Sequence, residues 1–319
     1  MDKVLSYVLR AEDLESTAGG LVNLILKNCL RVTGHEISHA KFTPGGITAD
    51  GRAVTVKERI LPGQTLRLLL SEVVQPGERV VPAAPPAEEM LRILYEDEDV
   101  LVLDKPAGVV VHPTHGHYDD TLLNYAAWYY KKKGMDVVCR AAGRLDRETS
   151  GALVLAKNRA AAGRLAAQRR DGVFRRTYLA LAEGRFAGGV TETVTIDRPL
   201  EADPASLLRQ RVAEEGRGKR AVTHYRVLRE LSLPHGTLSL LEVHIETGRT
   251  HQIRVHLMSE GHPLFGDTLY GGAGTGQGGP GRALLHAAAV EFRQPFTGES
   301  LRVEAPLPED FWRYLIAND

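Results

Sequence analysis

Residues 143–151 read Gly143-Arg144-Leu145-Asp146-Arg147-Glu148-Thr149-Ser150-Gly151 and lead into the apolar run Ala152-Leu153-Val154-Leu155-Ala156. One carboxylate, Asp146, stands between two arginines, and nearby cations favour the ionised form of an acid. An ionised aspartate followed by small residues at the head of a strand is a poised nucleophile or base. The same nine residues also suit a surface ion pair in a turn. A second dense stretch, Gly248-Arg249-Thr250-His251-Gln252-Ile253-Arg254-Val255-His256-Leu257, carries more basic and polar groups than an amphipathic helix needs. Other chemistries fit less well. His112, His115 and His117 crowd a loop marked by Pro113 and Gly116, with no carboxylate or cysteine at ligand spacing, so no metal site is expected. His251 and His256 are not at the i, i+4 spacing of a metal-binding helix face. An acyl hydrolase would show Gly-x-Ser-x-Gly, which is absent. A glycosidase needs two cooperating carboxylates, and on a strand or tight turn Asp146 and Glu148 do not converge.

The elements that must position these groups are legible in part. Residues 21–31 carry Leu21, Leu24, Ile25 and Leu30 at helical spacing, Gly34 ends that helix, and 35–42 form a second short one. Ile47-Thr48-Ala49 followed by Asp50-Gly51 signals a hairpin, with 53–56 as its return strand. Thr65 to Leu70 is a further strand. Pro76, Gly77, Pro82, Pro85 and Pro86 make 76–89 a linker, which leaves domains at 1–75 and 90–319. Beyond it, 93–95 and 100–103 flank an acidic turn as a hairpin. Residues 121–133 form a helix with Leu122, Leu123, Ala126 and Tyr129 inward, and 158–170 form a helix with Arg159, Arg164, Arg169 and Arg170 outward. Strands follow at 175–181 and 238–245, and a helix runs from Gly248 to Met258. Residues 271–281 hold seven glycines without Gly-Lys-Ser/Thr, a flexible loop and not a phosphate cradle.

At 319 residues, 43% hydrophobic and 25% charged, the chain has the balance of a globular protein with room for a large and a small domain. No apolar run approaches the ~18 residues of a membrane span, and residues 1–4 do not begin a secretory signal. Two cysteines, Cys29 and Cys139, at no metal-like spacing fit free thiols in the cytoplasm. The formal net charge is zero, but residues 140–185 hold eleven Lys/Arg against four Asp/Glu. Binding RNA needs a basic face, not a basic total.

Together, Arg144-Leu145-Asp146-x-x-Thr149-Ser150-Gly151 and the block 248–257 resemble the signature segments of RNA pseudouridine synthases, closest to the RluA-type branch that includes the ribosomal large-subunit enzymes. Asp104-Lys105-Pro106-Ala107-Gly108, Arg175-Arg176-Thr177-Tyr178-Leu179-Ala180, the segment 218–225, Gly261-His262-Pro263-Leu264-Phe265-Gly266-Asp267 and Leu284-Leu285-His286-Ala287 match further family blocks. The likeness covers about 90–310. Residues 1–75 resemble an S4-like RNA-binding module, with His39 and Lys41 as its candidate contacts.

The resemblance implies an α+β fold: a catalytic domain built on a mixed, largely antiparallel sheet flanked by helices, plus a small S4-like domain. It implies Asp146 as catalytic aspartate, Arg254 paired with it, and Tyr178 against the uracil. Arg144 would fill the space left when the target uridine flips from its stack. Arg147, Thr149, Arg249, His251, Gln252 and Ile253 would contact substrate, Arg147 through phosphate or as a structural residue. The reaction breaks the bond from ribose C1′ to uracil N1 and rejoins the sugar to C5 with loss of the C5 proton. Nothing is oxidised, so no cofactor is expected. Attack on the sugar, addition to the base and removal of a ribose proton are all open to Asp146.

Many relatives carry His where this chain has Gly143, which leaves the substrate open. Ribosomal RNA is expected ahead of tRNA, and a monomer is the expected state. The rivals are a non-catalytic RNA-binding or ribosome-assembly protein that keeps the fold, and a nucleoside hydrolase, for which no activated water is evident.

Overall fold

In a computed structural model, residues 2–186, 192–233, 236–272 and 279–316 are described. The chain divides into two compact units. One comprises residues 1–79 with 136–138 and 158–160, and the other 80–135, 139–157 and 161–319.

The first unit holds a four-stranded antiparallel sheet in the order β1-β4-β2-β3. Its strands are β1 (Lys3–Val8), β2 (Ile47–Ala49), β3 (Arg52–Ala53) and β4 (Thr65–Leu70). Asp50 and Gly51, at φ 46° and 81°, form the two-residue turn between β2 and β3, the positive-φ pair that matches strand twist. The expected strand over 53–56 is only the short β3. The first predicted helix is a short α1 (Val22–Leu24) that widens into a π turn over Ile25–Cys29. Gly34 opens the next helix, α2 (Gly34–Ala40), and does not close the previous one, because Thr33 caps α2 by accepting from the Glu36 N–H while Glu36 returns a bond to the Thr33 N–H.

The second unit is built on a ten-stranded mixed sheet. It contains β5 (Arg92–Glu96), β6 (Val100–Lys105), β7 (Arg140–Ala141), β8 (Ser150–Ala156), β9 (Arg175–Glu183) and β10 (Val194–Asp197). A separate two-stranded ribbon joins β11 (Leu200–Ala202) and β12 (Gln210–Val212), and β13 (Val222–Leu233), β14 (Gly236–Ile245), β15 (Leu285–Arg293) and β16 (Ser300–Glu304) complete the main sheet. Helices α3 (Leu122–Lys132), α4 (Arg159–Arg170), α5 (Gln252–Ser259) and α6 (Glu309–Ile316) complete the unit. In α3 the inward face differs from the expected set, since Tyr125 and Tyr130 are buried with Leu122, Leu123 and Ala126 while Tyr129 is only half-buried. Of the glycine-rich loop, 273–278 lie outside the described residues.

The main path of the sheet runs β10-β13-β14-β9-β15-β8-β6-β5, and among the described residues only β8 with β15 is a parallel pair. Every residue of β8 is buried. Its Ala152, Val154 and Ala156 share a core with Ala161 and Leu165 of α4 and Val290 and Phe292 of β15. A strand covered on both faces reads as a continuous apolar run, which is why 152–156 do not alternate.

One row of paired residues crosses this sheet: Lys105 faces Gly151, Gly151 faces Ala287, Ala287 faces Tyr178, Tyr178 faces Val243, and Val243 faces Tyr225. Gly151 is indispensable to it. At φ 109° it lies in a region side chains avoid, and a Cβ there would sit 2.3 Å from the Ala287 carbonyl oxygen. Gly151→Ala is therefore expected to destabilise the fold by at least about 2 kcal/mol, the sum of backbone strain and a steric clash, measured as a lower urea midpoint with unchanged m.

Candidate active site

The register row fixes where the chemistry-bearing loops meet. Asp146 precedes β8 by four positions, Tyr178 lies two strands away on β9, and the block 246–257 follows the end of β14. Between them is a pocket of about 480 Å³ lined by Arg144, Asp146, Thr149, Tyr178, Arg249, Gln252 and Ile253 among others. Seven of the ten residues singled out in the sequence thus share one cavity. Arg147, His251 and Arg254 do not line it.

The loop that carries Asp146 is gripped by two cations. Lys105, fully buried at the end of β6, donates from Nζ to the carbonyls of Pro106 (2.8 Å), Arg147 (3.0 Å) and Thr149 (2.8 Å). Arg282 donates to the Glu148 carbonyl at 2.9 Å and to Ser150 Oγ at 3.2 Å, and is itself held by Asp310 through two bonds of 2.5 and 3.0 Å. Within the turn the Thr149 N–H donates to the Asp146 carbonyl at 3.1 Å. Burial pulls the Lys105 pKa down to about 7, and repulsion from Arg282 acts the same way against the opposing charge of Asp146. Neither Lys105 nor Arg282 carries a local signature of this task. The Lys105-Pro106 block was identifiable as a family segment, whereas nothing around Arg282 marked it.

Asp146 is partly exposed to the pocket, and its carboxylate has no hydrogen-bond or ion-pair partner among the described residues. The direct pairing expected with Arg254 is not what the structure has. Arg254, 4% exposed, spends its fork on Asp267, Nε to Oδ2 and Nη2 to Oδ1 both at 2.7 Å, and comes within 3.7 Å of Glu148. Asp267 is fully buried and also caps the following turn by accepting from the N–H groups of Leu269 and Tyr270. Burial opposes the Arg254 charge, yet Asp267 first, and then Asp146 and Glu148, raise its pKa above the ordinary value. Its influence on Asp146 is thus through space. Asp267 lies thirteen residues beyond Arg254 across a loop, so helical spacing could not reveal the pair.

The remaining predicted residues divide between wall and frame. Tyr178 is 4% exposed and faces the cavity from β9. Arg144 Nη2 donates to Thr250 Oγ1 at 3.2 Å, tying the two signature blocks together. Arg147 is tied to the Gly108 turn: its Nε donates to the Gly108 carbonyl at 3.1 Å and its own carbonyl accepts from the Gly108 N–H at 2.8 Å. Gln252, expected to touch substrate, has its side chain committed to the protein. Its oxygen accepts from Thr247 Oγ1 and the Arg249 N–H, and its Nε2 donates to the Val222 carbonyl and Thr223 Oγ1. His251 stands at φ 55° at the start of α5, with Nδ1 2.9 Å from Tyr270 Oη. Its pKa is lowered by burial, against the opposing charge of Asp146. Arg249 Nε donates to the Arg220 carbonyl at 3.0 Å.

With this geometry in hand, the relatives are informative. Residues 99–259 match the RNA pseudouridylate synthase family. The chain is 41% identical over 251 residues to an uncharacterized RNA pseudouridine synthase of Bacillus subtilis, YhcT, covering 76% of this chain and 80% of that one. It is 38% identical over 286 residues to ribosomal large subunit pseudouridine synthase D of Xanthomonas campestris pv. campestris, at 86% and 81% coverage. Among solved structures, human RNA pseudouridylate synthase domain containing 1 superposes with a TM-score of 0.57 at 28% identity, over 70% of this chain and 86% of that one. The chain belongs to the RNA pseudouridine synthase family. It is an isomerase that acts on RNA and converts uridine to pseudouridine.

Two measurements follow from the loop and its frame. Asp267→Asn removes the anionic partner of a buried pair, so stability is expected to fall by roughly 3–5 kcal/mol, as when one partner of a buried ion pair is removed, with activity falling as Arg254 loses its anchor. For Lys105, the unfolded chain keeps a proton up to ~10.4, while the folded protein releases it near 7. Between these values the unfolded state binds more protons, so this group makes stability rise with pH. Urea unfolding at about pH 7 to 9 should show wild type gaining stability relative to Lys105→Met, and parallel curves would refute the lowered pKa of Lys105.

Proposed function

We propose that the protein converts uridines of large-subunit ribosomal RNA to pseudouridine in the cytoplasm, as a monomer, with Asp146 as the catalytic aspartate. The observation that carries this reading is the unpartnered Asp146 carboxylate in a pocket shared with Tyr178 and several arginines. A carboxylate serving only structure would be spent on a neighbour, as Asp267 is on Arg254. The flipped uracil lies against Tyr178, a stacking contact worth roughly 1–3 kcal/mol, and Arg144 swings from Thr250 to fill the gap in the stack. Arg249 and Thr149 line the approach, and Ile253 supplies an apolar wall.

Asp146 acts at the sugar or the base while N1–C1′ breaks. The base turns, C5–C1′ forms, the C5 proton leaves and N1 ends protonated. Arg254, held on Asp267, supplies a fixed positive charge beside the reacting carboxylate without binding it.

Residues 1–75 serve as an S4-like RNA-binding module joined by the linker 76–89 to the catalytic domain 90–319. Ribosomal RNA is favoured because relatives such as the Xanthomonas protein bear the ribosomal large-subunit name. The cytoplasmic assignment rests on two cysteines that are free and on an RNA substrate. No helix among the described residues is long and apolar enough to cross a membrane.

The test is tritium release from RNA labelled at uridine C5, with total ribosomal RNA and tRNA offered separately. Wild type is expected to release label from ribosomal RNA and Asp146→Asn to release none. Equal release by both proteins would remove Asp146 from the chemistry, and release from tRNA alone would overturn the substrate. Binding with no release from any RNA would favour a binding protein.

A further inference from the structure

The pocket contains a cation that neither the reaction nor the fold uses. Arg169, in the last turn of α4, lines the cavity with Asp146 and Tyr178. It makes no hydrogen bond or ion pair among the described residues. Its guanidinium lies against two bare glycines, one from each signature block. A Cβ on Gly143 would be 2.9 Å from its Cζ and Nη1, and a Cβ on Gly248 would be 3.2 Å from its Nη2. Gly143 is also at φ 95°.

A second arginine stands beside it. Arg176 of β9 donates to the carbonyls of Ala142 (3.2 Å) and Arg144 (3.4 Å), while its buried Nε has no partner. The Arg169 pKa is lowered, first by burial and then by repulsion from Arg176. A lone arginine ending a helix would be accounted for by the helix dipole. The dipole does not account for a second guanidinium lining the same cavity, and an anion bound between the two would relieve their repulsion.

We propose that Arg169 and Arg176 form a seat for a backbone phosphodiester of the RNA next to the flipped uridine, with Gly143 and Gly248 providing the room for the Arg169 side chain. The proposal rests on the pocket being the uridine site. A phosphodiester suits the seat because its two free oxygens match the planar donor fork of arginine. Arg176, fixed by two carbonyls, presents its remaining donor edge, and Arg169, free of protein partners, closes onto the other side. The residue type at 143 then has a physical meaning: any side chain there would occupy the place of the Arg169 guanidinium.

The experiment compares wild type, Arg169→Ala and Arg169→Lys for binding to ribosomal RNA over a range of salt, and for kcat and KM by tritium release from it. Arg169→Ala leaves no protein group unpaired and removes a repulsion, so its melting temperature should equal or exceed that of wild type. Affinity should fall roughly ten-fold or more, the size of one lost charged hydrogen-bonding contact. The slope of log affinity against log salt should shrink by about 0.7–0.9, the value of one phosphate. KM should rise more than kcat falls. Arg169→Lys should keep most of the salt slope while losing part of the affinity, since charge remains and the fork does not.

An unchanged salt slope in Arg169→Ala, or a lower melting temperature with unchanged affinity, would overturn the proposal and make Arg169 structural. Binding is read independently of turnover, so wild type failing to release tritium would count against the enzymatic reading while leaving the salt slopes to judge the phosphate seat.

Discussion

Two buried cations hold the loop on which everything else depends. Lys105 and Arg282 between them take the carbonyls of Arg147, Glu148 and Thr149, three consecutive residues immediately after Asp146. A loop in a sheet-forming region cannot satisfy those oxygens through a strand ladder, and buried carbonyls left unmatched cost about 1–3 kcal/mol each. Drawing them onto two positive charges satisfies the oxygens and fixes the backbone. It also leaves the Asp146 carboxylate out of the bargain. The cost is that two like charges are buried near each other, which is one cause of the depressed Lys105 pKa. Arg282 is compensated by Asp310. Lys105 has only carbonyl dipoles and the field of Asp146.

The sheet converts that local arrangement into a site. Because Lys105, Gly151, Ala287, Tyr178 and Val243 lie in one row, a shift of any one strand by a residue would carry the loop away from Tyr178 and turn side chains to the opposite face. The parallel contact between β8 and β15 lasts only two residues before β16 takes over the edge of β15. The two strands close on each other at Gly151, where the absence of a Cβ lets the backbones meet. Core packing of α4 on β8 and β15 holds this register from one face.

What could be read from the sequence follows from which contacts are local. The turn at Asp50-Gly51, the strand Thr65–Leu70 and helices α3 and α4 are set by short-range periodicity and turn chemistry, and these stand where spacing placed them. The strand Lys3–Val8 has no clear sequence signal because its alternation is weak and its partner, β4, lies some sixty residues on. Gly34 read as a terminator because glycine commonly follows a helix, but the Thr33–Glu36 box makes it an opening residue. In the site, the motif residues Asp146, Tyr178, Thr149 and Arg249 were visible by type and order. Their supports were not, since Asp267, Arg282 and Glu148 act through contacts across loops and strands that leave no mark on neighbouring residues.

A consistent electrostatic logic connects these supports. Among the carboxylates near the loop, Glu148 accepts from the Ala283 N–H and approaches Arg254, Asp267 binds Arg254 in a fork, and Asp310 binds Arg282. Glu246, at the pocket wall, is tied to Arg220 and His224. Asp146 alone of this group has no such partner. The basic groups near it are committed elsewhere, Arg254 to Asp267 and Lys105 to carbonyls, so their donors do not occupy its oxygens. A direct salt bridge would have occupied those oxygens and closed them off from the pocket. Holding the basic groups one layer back leaves the carboxylate open to the pocket, with the surrounding dipoles and charges fixed by the protein in advance.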